Sequence, residues 1–280
     1  MQTHSFGATG RAVPVIGQGT WYMEQADRAA AIAAIRRGLD TGMTHIDTAE
    51  LYGSGKAEEI VAEAIGNRRA EIFLVSKVMP QNASRTGTID ACEKSLRRLR
   101  TDRLDCYLLH WRGRHPLVET IAAFEELVAS GKILSWGVSN FDAEDLEEAA
   151  GIAGEGKIAC NQVLYHLQER GIEHAVIPWC EAHDVAAVGY SPFGHSSFPG
   201  SRTRGGAVLA EIAKAHSATP RQVALAFLIR RPSLFAIPKA ADPGHVAENA
   251  AAAALNLTEA ETAKIDAAFP VGRRGGLAMI

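Results

Sequence analysis

Apolar positions along the chain fall into two kinds of stretch, and the two alternate from end to end. The runs at 72–77, 104–110, 133–138, 158–163, 185–190 and 234–238 are brief, largely apolar and rich in β-branched or aromatic side chains, so they read as buried strands. Two further strands are expected from about Val15 and His45. Between them lie segments of helical spacing. Asp27 caps a helix with Ile32, Ile35 and Leu39 on one face, ending near Gly42, and a second helix over 56–65 stops at Gly66. A third, over 89–99, turns Leu96 and Leu99 inward and Lys94, Arg97 and Arg98 outward. Helices follow over 118–129, from the Asp142 cap through Ala150, and over 172–183, 206–216, 220–230, 246–254 and 259–268. Gly7 and Gly10 between short apolar stretches predict a small hairpin over 3–13, and the Gly- and Arg-rich tail at 271–280 reads as loosely held.

Most of the eight barrel-type strands recur at roughly 25–32 residues, the length of one strand–helix unit. Eight such units in about 250 residues predict a closed (β/α)8 TIM barrel of the α/β class. It would be one domain over residues 1–280, with a short N-terminal β-hairpin and extra C-terminal helices. A doubly wound sheet would want G-x-G-x-x-G after its first strand. Here Gly17-Gln18-Gly19-Thr20-Trp21-Tyr22 lacks the third glycine, and no helix opens directly after it.

Composition narrows the partners more than the fold. Hydrophobic residues make up 47% of the 280 and charged residues 22%, ordinary for a soluble globular chain. A net charge of -3 without a basic stripe gives no reason to expect nucleic acid. No apolar run approaches the ~18 residues that span a bilayer, and the first residues lack the regions of a signal peptide. Cys92, Cys106, Cys160 and Cys180 form neither a metal-type pair nor a disulfide framework. A cytoplasmic monomer acting on a small molecule, with no membrane partner and no metal, is expected.

In a barrel of this kind the C-terminal strand ends share one mouth, where active sites sit. Asp47 ends the second strand, Lys77 the third and His110 the fourth; Ser139-Asn140, Asn161-Gln162, Tyr190-Ser191 and Pro238-Lys239 end the next four. The stretch 44–53, THIDTAELYG, sets a carboxylate at a strand tip and Tyr52 in the loop after it. Taken alone it also fits an Asp that caps the helix from Lys56 beside an ordinary loop tyrosine. Polar groups at seven successive strand ends favour a reaction site.

HIDTAELYG, FLVSKV, LDCYLLHW, WGVSNF, NQVLYH, GYSPFG and IPKA…AEN, in this order and spacing, resemble the aldo-keto reductase superfamily, and within it the short bacterial members that reduce methylglyoxal and other small carbonyls. The resemblance implies an oxidoreductase with Asp47, Tyr52, Lys77 and His110 as catalytic tetrad. Carbonyl reduction needs a proton on the developing alkoxide, which Tyr52 would donate. Lys77 is expected to draw the phenol from its ordinary pKa of ~10 towards neutrality, Asp47 to hold Lys77, and His110 to orient the carbonyl. The hydride must come from a cofactor. By resemblance this is NADPH, with NADH possible. Ser139, Asn140 and Gln162 would bind its carboxamide and Tyr190 would stack on its ring. Thr20 and Trp21 would lie near that ring, Ser191 and Phe193 near the pyrophosphate, and Glu248 and Asn249 at the adenine. The same track takes in Gly19, Asp47, Pro192, Ile237, Pro238 and Ala241. Trp21, Tyr22, Tyr52, His110 and Trp111 would meet the substrate, with Phe193 as a further wall.

The chain departs from the family pattern at three points. Lys239 is kept, but Ala240 and His245 stand where many members have the Ser and Arg that contact the 2′-phosphate, and this puts the strength of NADPH preference in doubt. Arg112 replaces the usual proline after the His, and the glycines of the short tail are expected to cover the pocket poorly. The alternative function is a cofactor-binding regulatory subunit, for which a long N-terminal docking extension is expected and none precedes the hairpin. A metal-dependent hydrolase using His45, Asp47 and His110 is disfavoured by the ring of amides.

Overall fold

The computed structural model describes residues 1–195 and 198–280; positions 196 and 197, in the loop expected after the seventh barrel strand, lie outside the described residues. The chain starts with the expected hairpin. β1 (Thr3–Ser5) runs antiparallel to β2 (Ala12–Pro14), with Thr3 opposite Pro14. Between them Phe6 is fully buried and its ring packs against His45, Phe73 and Phe235, so the hairpin plugs the N-terminal end of the barrel.

The barrel strands are β3 (Gln18–Gly19), β4 (His45–Asp47), β5 (Phe73–Val78), β6 (Cys106–Leu109), β7 (Trp136–Ser139), β8 (Ile158–Leu164), β9 (Ala186–Tyr190) and β10 (Leu234–Ala236), all parallel and adjacent in chain order. The first and last meet through Gly17 N–H to the Ala236 carbonyl at 2.8 Å, Gly19 N–H to the Pro238 carbonyl at 3.1 Å, and Ala236 N–H to the Val15 carbonyl at 2.9 Å. This closes the predicted (β/α)8 barrel. The seam is tight: a Cβ on Gly19 would come within 2.6 Å of the Ile237 carbonyl oxygen, so only glycine allows this approach.

The helices are α1 (Arg28–Asp40), α2 (Lys56–Ile65), α3 (Arg85–Leu99), α4 (Leu117–Ala129), α5 (Ala143–Ala153), α6 (Val176–Ala182), α7 (Arg204–Ala215), α8 (Pro220–Leu228), α9 (Pro243–Ala251) and α10 (Glu259–Ala268). Among the described residues no helix is long and apolar enough to cross a membrane. Strand alternation divides the core. On β5, Phe73 and Val75 join an inner core with Cys106, Leu108 and Phe235, while Leu74 and Val78 face the helices with Tyr107, Phe124 and Trp136.

Four expectations need correction. α3 begins at Arg85 rather than 89, because Ser84 caps it by accepting from the Gly87 N–H at 3.1 Å. The helix expected over 172–183 breaks: a 3-10 turn at Gly171–His174 precedes α6, and the restart at Val176 leaves Pro178 in the first turn, where no intrahelical N–H is needed. Arg98 does not point outward but turns onto the buried carboxylate of Glu58. The tail is not loose along its length, since Leu277 packs on the outer core and Ile280 reaches the mouth of the barrel.

Candidate active site

Asp47, Lys77 and Tyr52 meet because β4 and β5 are neighbours and the turn after β4 doubles back. Asp47 and Lys77 occupy inward-facing positions and are almost entirely shielded, at 1% and 0% exposure. The Lys77 Nζ donates to Asp47 Oδ2 at 2.7 Å, to the Thr48 carbonyl at 2.9 Å and to the Tyr52 hydroxyl at 3.0 Å. An ammonium has three hydrogens, and all are used. The Tyr52 oxygen therefore accepts from lysine, and its own proton is left to point elsewhere. Tyr52 sits at the head of a turn, Tyr52–Gly55, in which Gly53, Ser54 and Gly55 all have positive φ, of 56°, 54° and 91°. This conformation explains the two glycines.

Charge in this cluster is set by burial against pairing. Burial alone would strip the proton from Lys77, but Asp47 and then Tyr52 outweigh it, and the lysine pKa is raised. For Tyr52 burial dominates over the pull of Lys77, so the phenol is pushed above its ordinary value of 10 rather than drawn towards neutrality, a correction to the expectation from sequence. Tyr52 is therefore fully protonated at neutral pH, the state that a proton donor needs. His110 is pushed well below 6.5 by burial and then by Lys77, so its ring is neutral. Its Nδ1 is buried without a partner, which leaves Nε2 as the nitrogen open to the cleft. The Tyr52 and His110 rings meet edge to face, 5.7 Å apart.

A chain of amides extends the cluster across the mouth. Gln162 Nε2 donates to Asp47 Oδ1 at 2.8 Å, Ser139 Oγ to the Gln162 carbonyl at 2.8 Å, and Tyr190 to Asn140 Oδ1 at 2.9 Å. Asn140 in turn donates to the His110 carbonyl at 3.1 Å, which ties the end of β7 to the end of β6. Thr20 is fully buried and its hydroxyl donates to the Asp47 carbonyl at 2.9 Å. Asn140 and Ser191 hold left-handed backbone, with φ of 58° and 49°. Such conformations cluster at sites that a fold has shaped for a purpose.

These groups line a cleft of about 420 Å³. Of the residues expected from sequence, Gly19, Thr20, Trp21, Tyr22, Asp47, Tyr52, His110, Trp111, Ser139, Asn140, Gln162, Tyr190, Ser191, Ile237 and Lys239 border it. Lys77 lies directly behind. Pro192, Phe193, Pro238, Ala240, Ala241, His245, Glu248 and Asn249 do not border it. Phe193 faces Phe198 and the Arg221 guanidinium instead of forming a substrate wall. Glu248 accepts from Thr219 Oγ1 and its carbonyl from Gln222 at 2.9 Å, so it joins α9 to the start of α8. His245 is exposed in the first turn of α9, where its N–H is capped by Asp242. His45 is held at the barrel floor by Phe6 and Phe73, away from His110, so the hydrolase set His45, Asp47 and His110 does not assemble.

Four lining residues were not read from sequence: Leu51, Gly194, His195 and Ile280. His195 stacks on Trp21 with 5.9 Å between centroids, and Trp21 stacks on Tyr22 at 4.6 Å, giving one wall of aligned rings. The aromatic of Trp21-Tyr22 and the His of the loop after β9 lie far apart in sequence, and only barrel closure pairs them. Ile280 follows an apolar end, Leu277-Ala278-Met279, which was a legible sign that the tail docks. Arg112, at the position of the expected proline, reaches α5 and pairs with Asp145 at 2.8 Å and Glu148 at 2.6 Å.

The cleft suits a flat ring that carries an amide. Its deep end offers hydroxyl and amide groups beside the half-buried face of Tyr190. At its rim Lys239 is exposed and has no carboxylate partner among the described residues, so its charge is available to a phosphate.

A model described as aldo/keto reductase family matches residues 15–269. The methylglyoxal reductase YeaE of Escherichia coli (strain K12) is 48% identical over 265 residues, which is 92% of each chain. Two crystal structures of an aldo-keto reductase from Klebsiella pneumoniae, one in complex with NADPH and one with NADP and acetate, are 44% identical over the full length of both chains, with TM-scores of 0.90 and 0.93.

Proposed function

The chain belongs to the aldo/keto reductase family, and we propose that it reduces small aldehydes and ketones to alcohols with NADPH, 2-oxoaldehydes such as methylglyoxal among them. The observation that carries this reading is the triple bonding of Lys77: it leaves a protonated Tyr52 hydroxyl with its hydrogen free at the wall of the cleft. When bound, the reduced nicotinamide supplies a hydride to the carbonyl carbon. Tyr52 gives its proton to the carbonyl oxygen, and neutral His110 donates from Nε2 to the same oxygen and fixes its direction. Lys77 steadies the phenolate that Tyr52 becomes, and Asp47 keeps Lys77 charged in a dry site. Ser139, Asn140 and Gln162 would hold the carboxamide, Tyr190 would stack on the ring, and Lys239 would meet the 2′-phosphate. The NADPH complex of the Klebsiella relative and the activity named for YeaE support the choice of cofactor and substrate. All four tetrad residues come from one chain, so a monomer suffices for the reaction, and the cytoplasm, where NADPH is held reduced, is its proposed location.

Absorbance at 340 nm, followed with methylglyoxal and either NADPH or NADH, tests the reading, with a chelator arm to detect metal dependence. Carbonyl-dependent loss of NADPH, indifferent to chelator, is expected. Tight NADPH binding without turnover on any of a panel of aldehydes and ketones would instead identify a regulatory subunit.

A further inference from the structure

Behind the cleft, on the helix side of β5, lies a second ion pair, buried at its carboxylate and partly exposed at its guanidinium, that none of these roles uses. Glu58, in the first turn of α2, is 0% exposed. One carboxylate oxygen accepts from Ser76 Oγ at 2.6 Å and the other from Arg98 Nε at 2.5 Å. Arg98 also donates to Ser95 Oγ at 3.1 Å, within α3. Its stem lies against Gly55: a Cβ there would come within 2.5 Å of both Arg98 Cδ and Nε. The two ends of this network are adjacent to the two ends of the Tyr52–Lys77 hydrogen bond. Ser76 directly precedes Lys77 on β5 and points the opposite way, and Gly55 closes the turn that Tyr52 opens.

We propose that Glu58 and Arg98 are positioning residues for the reaction, a brace outside the barrel that fixes the Tyr52 turn against the Lys77 strand. The proposal rests on Tyr52 as proton donor. Burying a carboxylate, even beside a cation, is a poor way to gain stability, because an apolar side chain of the same volume does as well or better. What a carboxylate adds is direction: its two oxygens engage a strand and a helix at fixed angles. Through Ser76 it sets where α2 starts along β5. Through Arg98 it presses on the glycine that lets the Tyr52 turn close. A shift of even an ångström between turn and strand would break the 3.0 Å contact between Lys77 and Tyr52.

The test uses the full chain in three variants: Glu58→Gln, Arg98→Lys and the volume-keeping pair Glu58→Met/Arg98→Leu. Each is measured for melting temperature, kcat and KM for NADPH, alone and in the Tyr52→Phe background. The pair is expected to stay folded and to lose at least tenfold in kcat, with KM for NADPH within about twofold. Arg98→Lys, which keeps the charge and loses the planar fork, should fall part of the way. In the Tyr52→Phe background the same changes should cost little more, because the contact they position is already gone. A folded pair variant with unchanged kcat overturns the proposal, and so does a loss that adds in full to that of Tyr52→Phe. If Glu58→Gln fails to fold, Arg98→Lys carries the same decision. Tyr52→Phe with near-normal activity would overturn the proton-donor reading itself. An inactive Tyr52→Phe beside a fully active pair variant would overturn only the brace.

Discussion

Lys77 illustrates how much of a site one residue can organise. Its three bonds fix a carboxylate, a backbone carbonyl and a phenol around a single charge. Removing one partner of such a buried pair typically costs ~3–5 kcal/mol, since the other charge is left uncompensated. Lys77→Met should therefore unfold at markedly lower urea, and Asp47→Asn/Lys77→Met should recover much of that loss while remaining inactive. Strictly additive unfolding free energies would show that the two residues do not act as a pair. His245 poses a different question. It is exposed on the first turn of α9, and a guanidinium there would bring a fixed positive charge and a planar fork. His245→Arg is expected to raise the ratio of kcat/KM for NADPH over NADH several-fold. An unchanged ratio would place the 2′-phosphate out of reach of this turn. At this scale the meeting of Asp47, Tyr52, Lys77 and His110 with the amides at one mouth was legible because these residues stand at strand ends or in the loop after one. The direction in which the Tyr52 pKa moves was not, because desolvation depends on surroundings that a sequence does not display.

At the scale of elements, what positions the site is how each loop is tied to the next. Arg112 binds the loop after β6 to α5 through Asp145 and Glu148, and Asn140 binds the His110 carbonyl from the end of β7. Trp111, which lines the cleft, lies between these two ties. Arg112→Ala should change stability little, because the ion pairs are half-exposed, yet should raise KM for the carbonyl several-fold with KM for NADPH unchanged. Equal changes in both constants would mean that the clamp serves the barrel as a whole. Element type was readable throughout, as period and caps specify it. Boundaries were misread where a cap and a glycine compete, as at Ser84 and Gly87, or where a proline forces a restart, as at Pro178. The charge of Arg98 by itself points outward, and Glu58, hidden among the apolar positions of α2, gives no hint of its partner.

For the whole molecule, the eightfold repeat made the barrel legible, while the hairpin plug and the docked tail depend on contacts of each chain end with the barrel that periodicity does not encode. The barrel also encloses histidines that it keeps neutral. His45 is driven down to about 3, chiefly by burial and then by Lys77, and His110 is well below 6.5 for the same reasons. In the unfolded chain each would titrate near its ordinary ~6.5. Below that pH the unfolded state binds protons that the native state refuses, so stability is complete above about 6.5 and falls as the pH drops, by up to ~1.4 kcal/mol per unit for each such histidine. Urea midpoints should decline between pH 6.5 and 5, ahead of the range in which Glu173, held down at about 2, becomes protonated. A flat midpoint over that interval would mean that the histidines are not buried neutral. The proton that Tyr52 holds is the centre of the proposed chemistry. Its most direct test is kcat for methylglyoxal reduction by Tyr52→Phe, with NADPH affinity measured alongside. A loss of ~10²–10⁴ in kcat at nearly unchanged affinity is expected for removal of a general acid, whereas a variant that keeps half its activity would contradict the assignment.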